Sequence, residues 1–383
     1  MAGIEGIPEE LLRSYYQNHF PAEELSKWLS QVKNPRLGDS HQFNSFPNRE
    51  FSFTLKEDIY VRHKNFANPE ELRSELVKIT PQKIDIGGVW KKAFGPGSQS
   101  NEPFERELVF DVDMNDYDGL RDCGCTGANI CHKCWKFMVV ACKSLSIILT
   151  KSCGFRNILW VFSGRRGIHG WVSDSTARRL NNRKRSMLVK FIQSEPKPKT
   201  PFKQVYEEVL KQHFEEIILS DMDLFKHQSH REKLSSYIPT QDSTKFQVPE
   251  LPSGDSHQAW SQFNVNLKEI YKNNPKKIEE VLMKVHFDYL FPKIDANVST
   301  DMGHLLKAPF SVHPSTNYVC VPFTIEEVDH FNPFEAPQIK NLETMDLSHY
   351  INILRALTSE LNSESRTERN ILVRAQRETS TDY

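Results

Sequence analysis

The sequence predicts a mixed α/β protein with a mainly helical insertion in its second half. Three observations predict it. Glu107 to Asp113 sets Leu108, Phe110 and Val112 opposite Val109, Asp111 and Asp113, the period of a strand, and Ile158 to Val172 is two apolar stretches around a glycine-bounded turn. Between a Pro and Lys rich break at Ser194 to Pro201 and the segment starting at Lys293, apolar residues recur at helical spacing. At 383 residues the chain exceeds the length at which one hydrophobic core usually stops growing, so a main domain with a second lobe is expected.

Taken in order, residues 8 to 32 read as one helix, because Leu11, Leu12, Tyr15, Tyr16, Phe20, Leu25, Trp28 and Leu29 recur near helical spacing. From Phe43 to Phe66 the texture changes. Phe51, Phe53 and Leu55 alternate with Ser52, Thr54 and Lys56, then Ile59, Tyr60 and Val61 lead to Arg62, which predicts strands meeting in a turn. Lys83 to Trp90 reads as a further short strand. In Glu107 to Asp113, Leu108, Phe110 and Val112 point one way while Val109, Asp111 and Asp113 point the other. A cysteine-rich loop follows, and His132 to Leu149 reads as a buried helix with Trp135, Met138, Cys142, Leu145 and Leu149 on one face. Ile158 to Val172 predicts a hairpin turning through Gly164 to Gly167.

The run Arg178 to Lys190 carries six basic residues, read as a solvated helix face in preference to a contact with a DNA or RNA backbone. A boundary falls at the break after it. Beyond it, Phe202 to Ser220 and Pro275 to Phe287 read as amphipathic helices. Strand character returns at Lys293 to Val298, where Asp295 and Asn297 share a face opposite Ile294, Ala296 and Val298. The stretch Thr358 to Tyr383 is polar and mixed in charge, as frayed helix or disordered chain would be.

Composition narrows the function classes. Hydrophobic content of 38%, charged content of 26% and a mean hydropathy of -0.55 describe a soluble globular protein. The longest apolar runs, such as Phe137 to Cys142 and Ile158 to Phe162, are too short to cross a bilayer, so no membrane role is expected. Met1 to Glu10 lacks a basic segment leading into an apolar one, so a reducing compartment is expected. With a net charge of -1, contact with nucleic acid must come from local basic clusters.

Four groups of residues could carry chemistry. Asp111 and Asp113, at i and i+2 on one strand face, lie about 7 Å apart along the strand, within reach of a pair of divalent ions. Ser163, Arg165, Arg166 and His169 crowd a hydroxyl, two guanidiniums and an imidazole into one hairpin, where arginine forks suit triphosphate oxygens; a solvated hairpin tip is the bland alternative. Lys307 and His313 follow closely behind Asp295, and each could donate to a phosphate or ribose oxygen. Cys123, Cys125, Cys131 and Cys134 are four of the seven cysteines and fall within twelve residues. Their spacing suits a closed tetrahedral Zn²⁺ site that staples the loop, with His132 able to replace one ligand.

These pieces, in this order, resemble the small catalytic subunit of archaeal and eukaryotic DNA primases. The resemblance rests on Arg49 to Arg62 (REFSFTLKEDIYVR), Lys83 to Trp90 (KIDIGGVW), Glu107 to Asp118 (ELVFDVDMNDYD), the cysteine cluster, Leu159 to Val172 (LWVFSGRRGIHGWV) and Lys293 to Pro314 (KIDANVSTDMGHLLKAPFSVHP). It implies a catalytic core related to the RNA recognition motif, in parts at 1–190 and 291–340, with a helical subdomain inserted at 191–290; beyond Phe334 the resemblance gives no match, and 341–383 is read from its own composition as a C-terminal helix and polar tail. It implies that Asp111, Asp113 and Asp295 hold two Mg²⁺ or Mn²⁺ ions. Ser163, Arg165, Arg166, His169, Lys307 and His313 would meet the triphosphate of an incoming ribonucleotide. Asp85 would face the ribose 2′-hydroxyl, with Lys83, Arg62 and Glu50 near the nucleotide or growing end.

The implied activity is synthesis of RNA primers on single-stranded DNA from ribonucleoside triphosphates. The implied setting is the nucleus, with an iron-sulfur large primase subunit and the catalytic and accessory subunits of DNA polymerase alpha. Two departures stand out: Gly124 separates Cys123 from Cys125 where animal relatives carry adjacent cysteines, and Lys293 stands where an arginine is familiar. Two rival readings are a primase-polymerase of repair and a non-catalytic, zinc-stabilised nucleic-acid-binding subunit.

Overall fold

The computed structural model describes residues 6–30, 45–91, 103–194, 201–247 and 249–380. Parts of the expected Phe43 to Phe66 strand region, most of the Ser194 to Pro201 break and the last residues of the tail lie outside them.

The residues expected to form one long first helix form two, α1 (Glu9–Asn18) and α2 (Ala22–Leu29). Pro21 is the reason: it lacks an N–H for the ladder and disfavours helical backbone at Phe20, so the chain closes α1 at His19 and restarts. Strands β1 (Arg49–Thr54) and β2 (Tyr60–Lys64) follow, paired antiparallel as the alternation predicts. Helix α3 (Pro69–Ile79) starts where Asn68 accepts a hydrogen bond from the Glu71 N–H and Pro69 supplies a first-turn φ, a cap that contributes about 1 kcal/mol. Then come β3 (Lys83–Val89), β4 (Leu108–Asp113), α4 (His132–Cys153), β5 (Ile158–Phe162) and β6 (Gly167–Val172). All five apolar residues assigned to one face of α4 are buried.

Helices α5 (Ser175–Arg178) and α6 (Asn182–Ile192) carry the basic run. From α7 (Phe202–Val205) through α8 (Lys211–Phe214) to Asp221, α-helical turns alternate with π-helical ones. They are followed by α9 (Gln228–Ser236), α10 (Thr240–Lys245), α11 (Ser256–Ile270) and α12 (Pro275–Leu290). The segment expected to return as a strand at Lys293 to Val298 instead leads into a short helix, α13 (Ala296–Thr300), whose N-cap is Asp295. Strands β7 (Leu306–Lys307) and β8 (Pro322–Phe323) and a long helix α14 (Ser348–Ser380) complete the chain.

The chain divides into two compact units. The first comprises Met1–Asp111, Phe155–Val189 and Asp295–Tyr383, and the second Val112–Gly154 and Lys190–Ile294. Two four-stranded sheets form, in the orders β2-β1-β3-β7 and β4-β6-β5-β8. In the second unit α4 and the helices from α7 to α12 build an aromatic core in which Phe214 packs on Trp260 at 4.7 Å and on His286 at 4.2 Å between ring centres.

The first unit also buries arginines that the sequence presented as surface charge. Arg178 and Arg185, from the run expected to be a solvated face, are 3% and 0% exposed. Arg178 pairs with Glu105, while the Arg185 guanidinium donates to the carbonyls of Leu180 and Glu107. Arg49 makes a two-pronged pair with Glu107 at 2.7 and 2.9 Å and also donates to the Gly87 carbonyl. Burial would raise the Glu107 carboxyl, but the charge and hydrogen bonds of Arg49 outweigh it and hold that carboxyl below its usual range. Breaking so enclosed a pair from one side costs about 3–5 kcal/mol.

Candidate functional site

The basic and acidic residues singled out in the first unit gather where the two sheets present β3, β7, β4 and the β5–β6 hairpin. Register does much of the gathering. Asp85 of β3 pairs with Lys307 of β7, and Lys83 Nζ lies 3.0 Å from Asp85 Oδ2. Lys307 reaches further, donating from Nζ to the Ser163 carbonyl at 3.0 Å, so it joins the first sheet to the hairpin that carries the arginines. Burial and the Lys83 charge pull the Lys307 ammonium below its ordinary value, against the pull of Cys320, Asp85 and Asp111.

The hairpin is closed by its own residues. Gly167 N–H donates to Ser163 Oγ and Ser163 N–H to the Gly167 carbonyl. Gly164 sits at φ +85°, and a Cβ there would fall 2.8 Å from His313 Cβ, so the turn lies directly against the histidine segment. Thr316 Oγ1 ties the two by donating to the Gly164 carbonyl at 2.6 Å. His313 is pushed down to about 3 by burial, then by Lys307, Arg165, Arg166 and Lys83. It is therefore neutral at pH 7. Its Nδ1 accepts from the Ser315 N–H at 3.3 Å, which leaves Nε2 as the protonated, donating nitrogen. His169 on β6 is likewise held neutral, down to about 3, by burial and by Lys307, with Nε2 3.7 Å from Asp111 Oδ1.

Asp111 and Asp113 are partly exposed on β4 while Phe110 and Val112 are fully buried, as the alternation requires. Asp295 is exposed at the start of α13, and its backbone N–H donates to the Asp111 carbonyl at 3.0 Å. Main-chain pairing thus puts the third acid of the sequence beside the first. Its side chain accepts from the Asn297 N–H.

Glu50, a position that sequence reasoning could place only by resemblance, is fully buried on β1. It accepts from Arg62 Nε at 3.1 Å and Trp90 Nε1 at 3.3 Å, and lies 3.0 Å from His63 Nδ1. Arg62 also donates to the Gly303 carbonyl, so Glu50 fixes Arg62 in place and does not itself face outward. No local signal marks such a partner in the sequence, because the pair depends on β1–β2 register.

In the second unit Cys123, Cys125, Cys131 and Cys134 bring their sulfurs within 4.8 Å of one another, the one set of three or more potential metal ligands gathered that tightly among the described residues. His132 is not in the set. Gly124, at φ +83° with no atom near its missing Cβ, provides the turn that lets both flanking thiols face inward. Arg121 braces the loop by donating to the carbonyls of Asn129 at 2.7 Å and Gly127 at 3.1 Å and by pairing with Asp118. Burial and the neighbouring thiols raise Cys125 and Cys134, the cost of crowding groups that a bound cation would deprotonate together. Four thiols so arranged could hold one metal ion. Lys293 is engaged locally, donating to the Asp116 carbonyl at 2.6 Å and lying over the Tyr117 ring.

The acids thus stand on the edge strand β4, beside a cluster of phosphate-compatible cations. A family model described as DNA primase small subunit matches residues 110–325. The chain is 35% identical over 363 residues to the DNA primase small subunit of Schizosaccharomyces pombe, covering 88% of this chain and 77% of that one. It is 35% identical over 366 residues to that of Drosophila melanogaster, covering 88% and 81%, and 30% identical over 359 residues to that of Saccharomyces cerevisiae, covering 86% and 84%. The chain belongs to the DNA primase small subunit family.

Proposed function

We propose that this chain is a primase catalytic subunit that joins ribonucleotides into short RNA primers on a single-stranded DNA template. The observation that carries the reading is the hydrogen bond from Asp295 N–H to the Asp111 carbonyl, which sets the acid at 295 beside the strand bearing Asp111 and Asp113. Two divalent cations, Mg²⁺ or Mn²⁺, held by these three carboxylates would supply the charge that acidifies an attacking 3′-hydroxyl and offsets the leaving pyrophosphate.

The chain's own residues do the rest. Lys307, Arg165, Arg166 and the Nε2–H of neutral His313 bind and orient the triphosphate of the incoming nucleotide, with Ser163 completing the hairpin cradle. His169, neutral beside Asp111, donates to a phosphate oxygen without adding charge. Asp85, held by Lys83, accepts from a ribose 2′-hydroxyl and so favours ribonucleotides over deoxyribonucleotides. Arg62, fixed by Glu50, meets the nucleotide or the growing end.

The four thiols would hold Zn²⁺ in a structural role, closing the loop and taking no part in the reaction. We take 191–290 as a helical subdomain inserted between core parts 1–190 and 291–340, with a C-terminal helix and tail at 341–383. Family membership supports a nuclear role in replication, with an iron-sulfur large subunit and DNA polymerase alpha as partners. Two nucleotides must be held together to start a chain, and the described residues offer one triphosphate cradle, which is the chemical reason for the large subunit.

Replacing both Asp111 and Asp113 by alanine is expected to abolish ATP incorporation on poly(dT) with Mn²⁺ while the circular-dichroism spectrum and melting temperature stay near those of the parent. Retained synthesis by a folded double variant rejects the reading.

A further inference from the structure

We infer that Arg106 is a positioning residue for the acidic site: it straps the segment carrying Asp295 to the strand carrying Asp111. The inference rests on the reading of Asp111, Asp113 and Asp295 as the cation-holding acids. Residues 295–301 are fastened at both ends. At one end the Asp295 N–H donates to the Asp111 carbonyl. At the other, five residues back along the chain from Asp111, Arg106 Nη1 donates to the carbonyls of Asp301 at 2.6 Å and Val298 at 3.3 Å, taking up acceptors left over at the end of α13. The backbone of Arg106 is held in turn, since its N–H donates to the Arg178 carbonyl and its carbonyl accepts from the buried Arg185.

This arrangement is a poor way to obtain stability. Arg106 is fully buried, has no carboxylate within ion-pair distance among the described residues, and leaves Nε and Nη2 without a partner there. Burial and the nearby Arg185 push it down to about 9, against Glu107 and Asp301. Arg49 and Arg178, buried close by, each have a glutamate. A buried cation with unmet donors is destabilising relative to a neutral residue of similar length. What the guanidinium adds is reach and fixed direction, which hold the backbone from 298 to 301 and with it the carboxylate at 295. Supporting residues of this kind typically set metal affinity by about 10- to 100-fold.

The test uses the full chain with Arg106→Gln and Arg106→Lys. Arg106→Gln keeps one donor and removes the buried charge, so its melting temperature should equal or exceed that of the parent. Mn²⁺ binding, read from the electron paramagnetic resonance signal of the free ion, should weaken about tenfold or more. Primer synthesis should need correspondingly more Mn²⁺ while the nucleotide KM at saturating metal stays unchanged. Arg106→Lys, which keeps the charge but reaches one carbonyl at most, should fall between. Parent-like Mn²⁺ binding in both folded variants overturns the inference, and so does failure of both to fold, because the guanidinium would then serve stability. If instead the Asp111 and Asp113 double variant still binds Mn²⁺ and makes primers, the site reading itself fails, whatever Arg106 does.

Discussion

The cysteine loop of the second unit and the basic face of the first gather functional atoms in opposite ways. The four thiols come from twelve consecutive residues, and their convergence depends on a local turn at Gly124 and on the start of α4 after Cys131. The basic face draws on positions from 50 to 313, and its convergence depends on strand register and on cross-links such as Lys307 to the Ser163 carbonyl. A local site should therefore fail all at once when a ligand is lost. A dispersed one should degrade by steps, each step traceable to one contact.

The largest effect expected comes from the local site. Cys131→Ser combined with Cys134→Ser should abolish Zn²⁺ content measured by atomic absorption and lower the melting temperature by more than either Gly164→Ala or Lys307→Met. Apart from the Arg121 and Asp118 bracing, the metal would be what closes the loop, and structural zinc contributes on the order of 10 kcal/mol of apparent binding free energy. If zinc content falls to zero while the melting temperature is unchanged, the loop is held by Arg121 and not by metal.

Next in size is Gly164→Ala. The left-handed backbone costs about 1–2 kcal/mol for a residue with a Cβ, and the added methyl would meet His313 Cβ at 2.8 Å and Cys320 Sγ at 3.1 Å. Chemical denaturation should show a loss of about 2–4 kcal/mol, counting about 1–2 kcal/mol more for overpacking. Nucleotide KM should rise at the same time because His313 is displaced. A stable variant with parent kinetics would mean that the hairpin and the histidine segment are not coupled.

Smaller again is Lys307→Met. Losing a charged donor to phosphate costs about 1.5–3 kcal/mol of nucleotide binding, which is tenfold or more in KM. Stability should change little, since the lost hydrogen bond to Ser163 is offset by relief of a buried ammonium. A large fall in stability with unchanged KM would make Lys307 a structural cross-link only.

The same contrast explains what the sequence could reveal. Strand β4 is legible because an apolar run passes into alternation from Phe110 to Asp113, and the hairpin because glycines bound its turn. The cysteine set is legible from spacing alone. The segment at 293–298 reads as a strand, wrongly, because Ile294, Ala296 and Val298 alternate over too few residues to separate a period of two from the first turn of a helix capped by Asp295. Helical periodicity carries across Pro21 in the same way, although the proline itself is the better signal. Arg178 and Arg185 look like surface charge because the acceptors that make their burial tolerable, Glu105 and several backbone carbonyls, are distant in sequence or are not side chains at all. For the same reason nothing local marks Glu50 as the partner of Arg62, or Arg106 as the anchor of α13. Motif reasoning finds the groups that touch substrate more readily than the groups that hold them.

The smallest effect expected concerns acid lability, and it separates the two regions by the cause of one shared property. His313 on the basic face is pushed down to about 3 by burial and by Lys307, Arg165, Arg166 and Lys83. His286 in the second unit is pushed down to about 4 chiefly by burial among Tyr206, Phe214 and Trp260, with Lys211 adding and the Leu282 carbonyl opposing. An unfolded histidine titrates near 6.5, so between that value and the folded one the unfolded chain binds the extra proton. Stability is thus whole above about pH 6.5 and falls as pH drops toward 4 or 3, by about 1.4 kcal/mol per histidine between pH 7.5 and 5.5. Urea unfolding at those two pH values should show a smaller acid loss, by about that amount, in His313→Asn and in His286→Phe. The His313 share should shrink more in 0.5 M salt, because four cations that ions screen add to its cause against one at His286, whereas desolvation is insensitive to salt. Equal salt responses at the two positions would mean that the cations around His313 do not set its proton affinity, and the cradle they form would lose its electrostatic support.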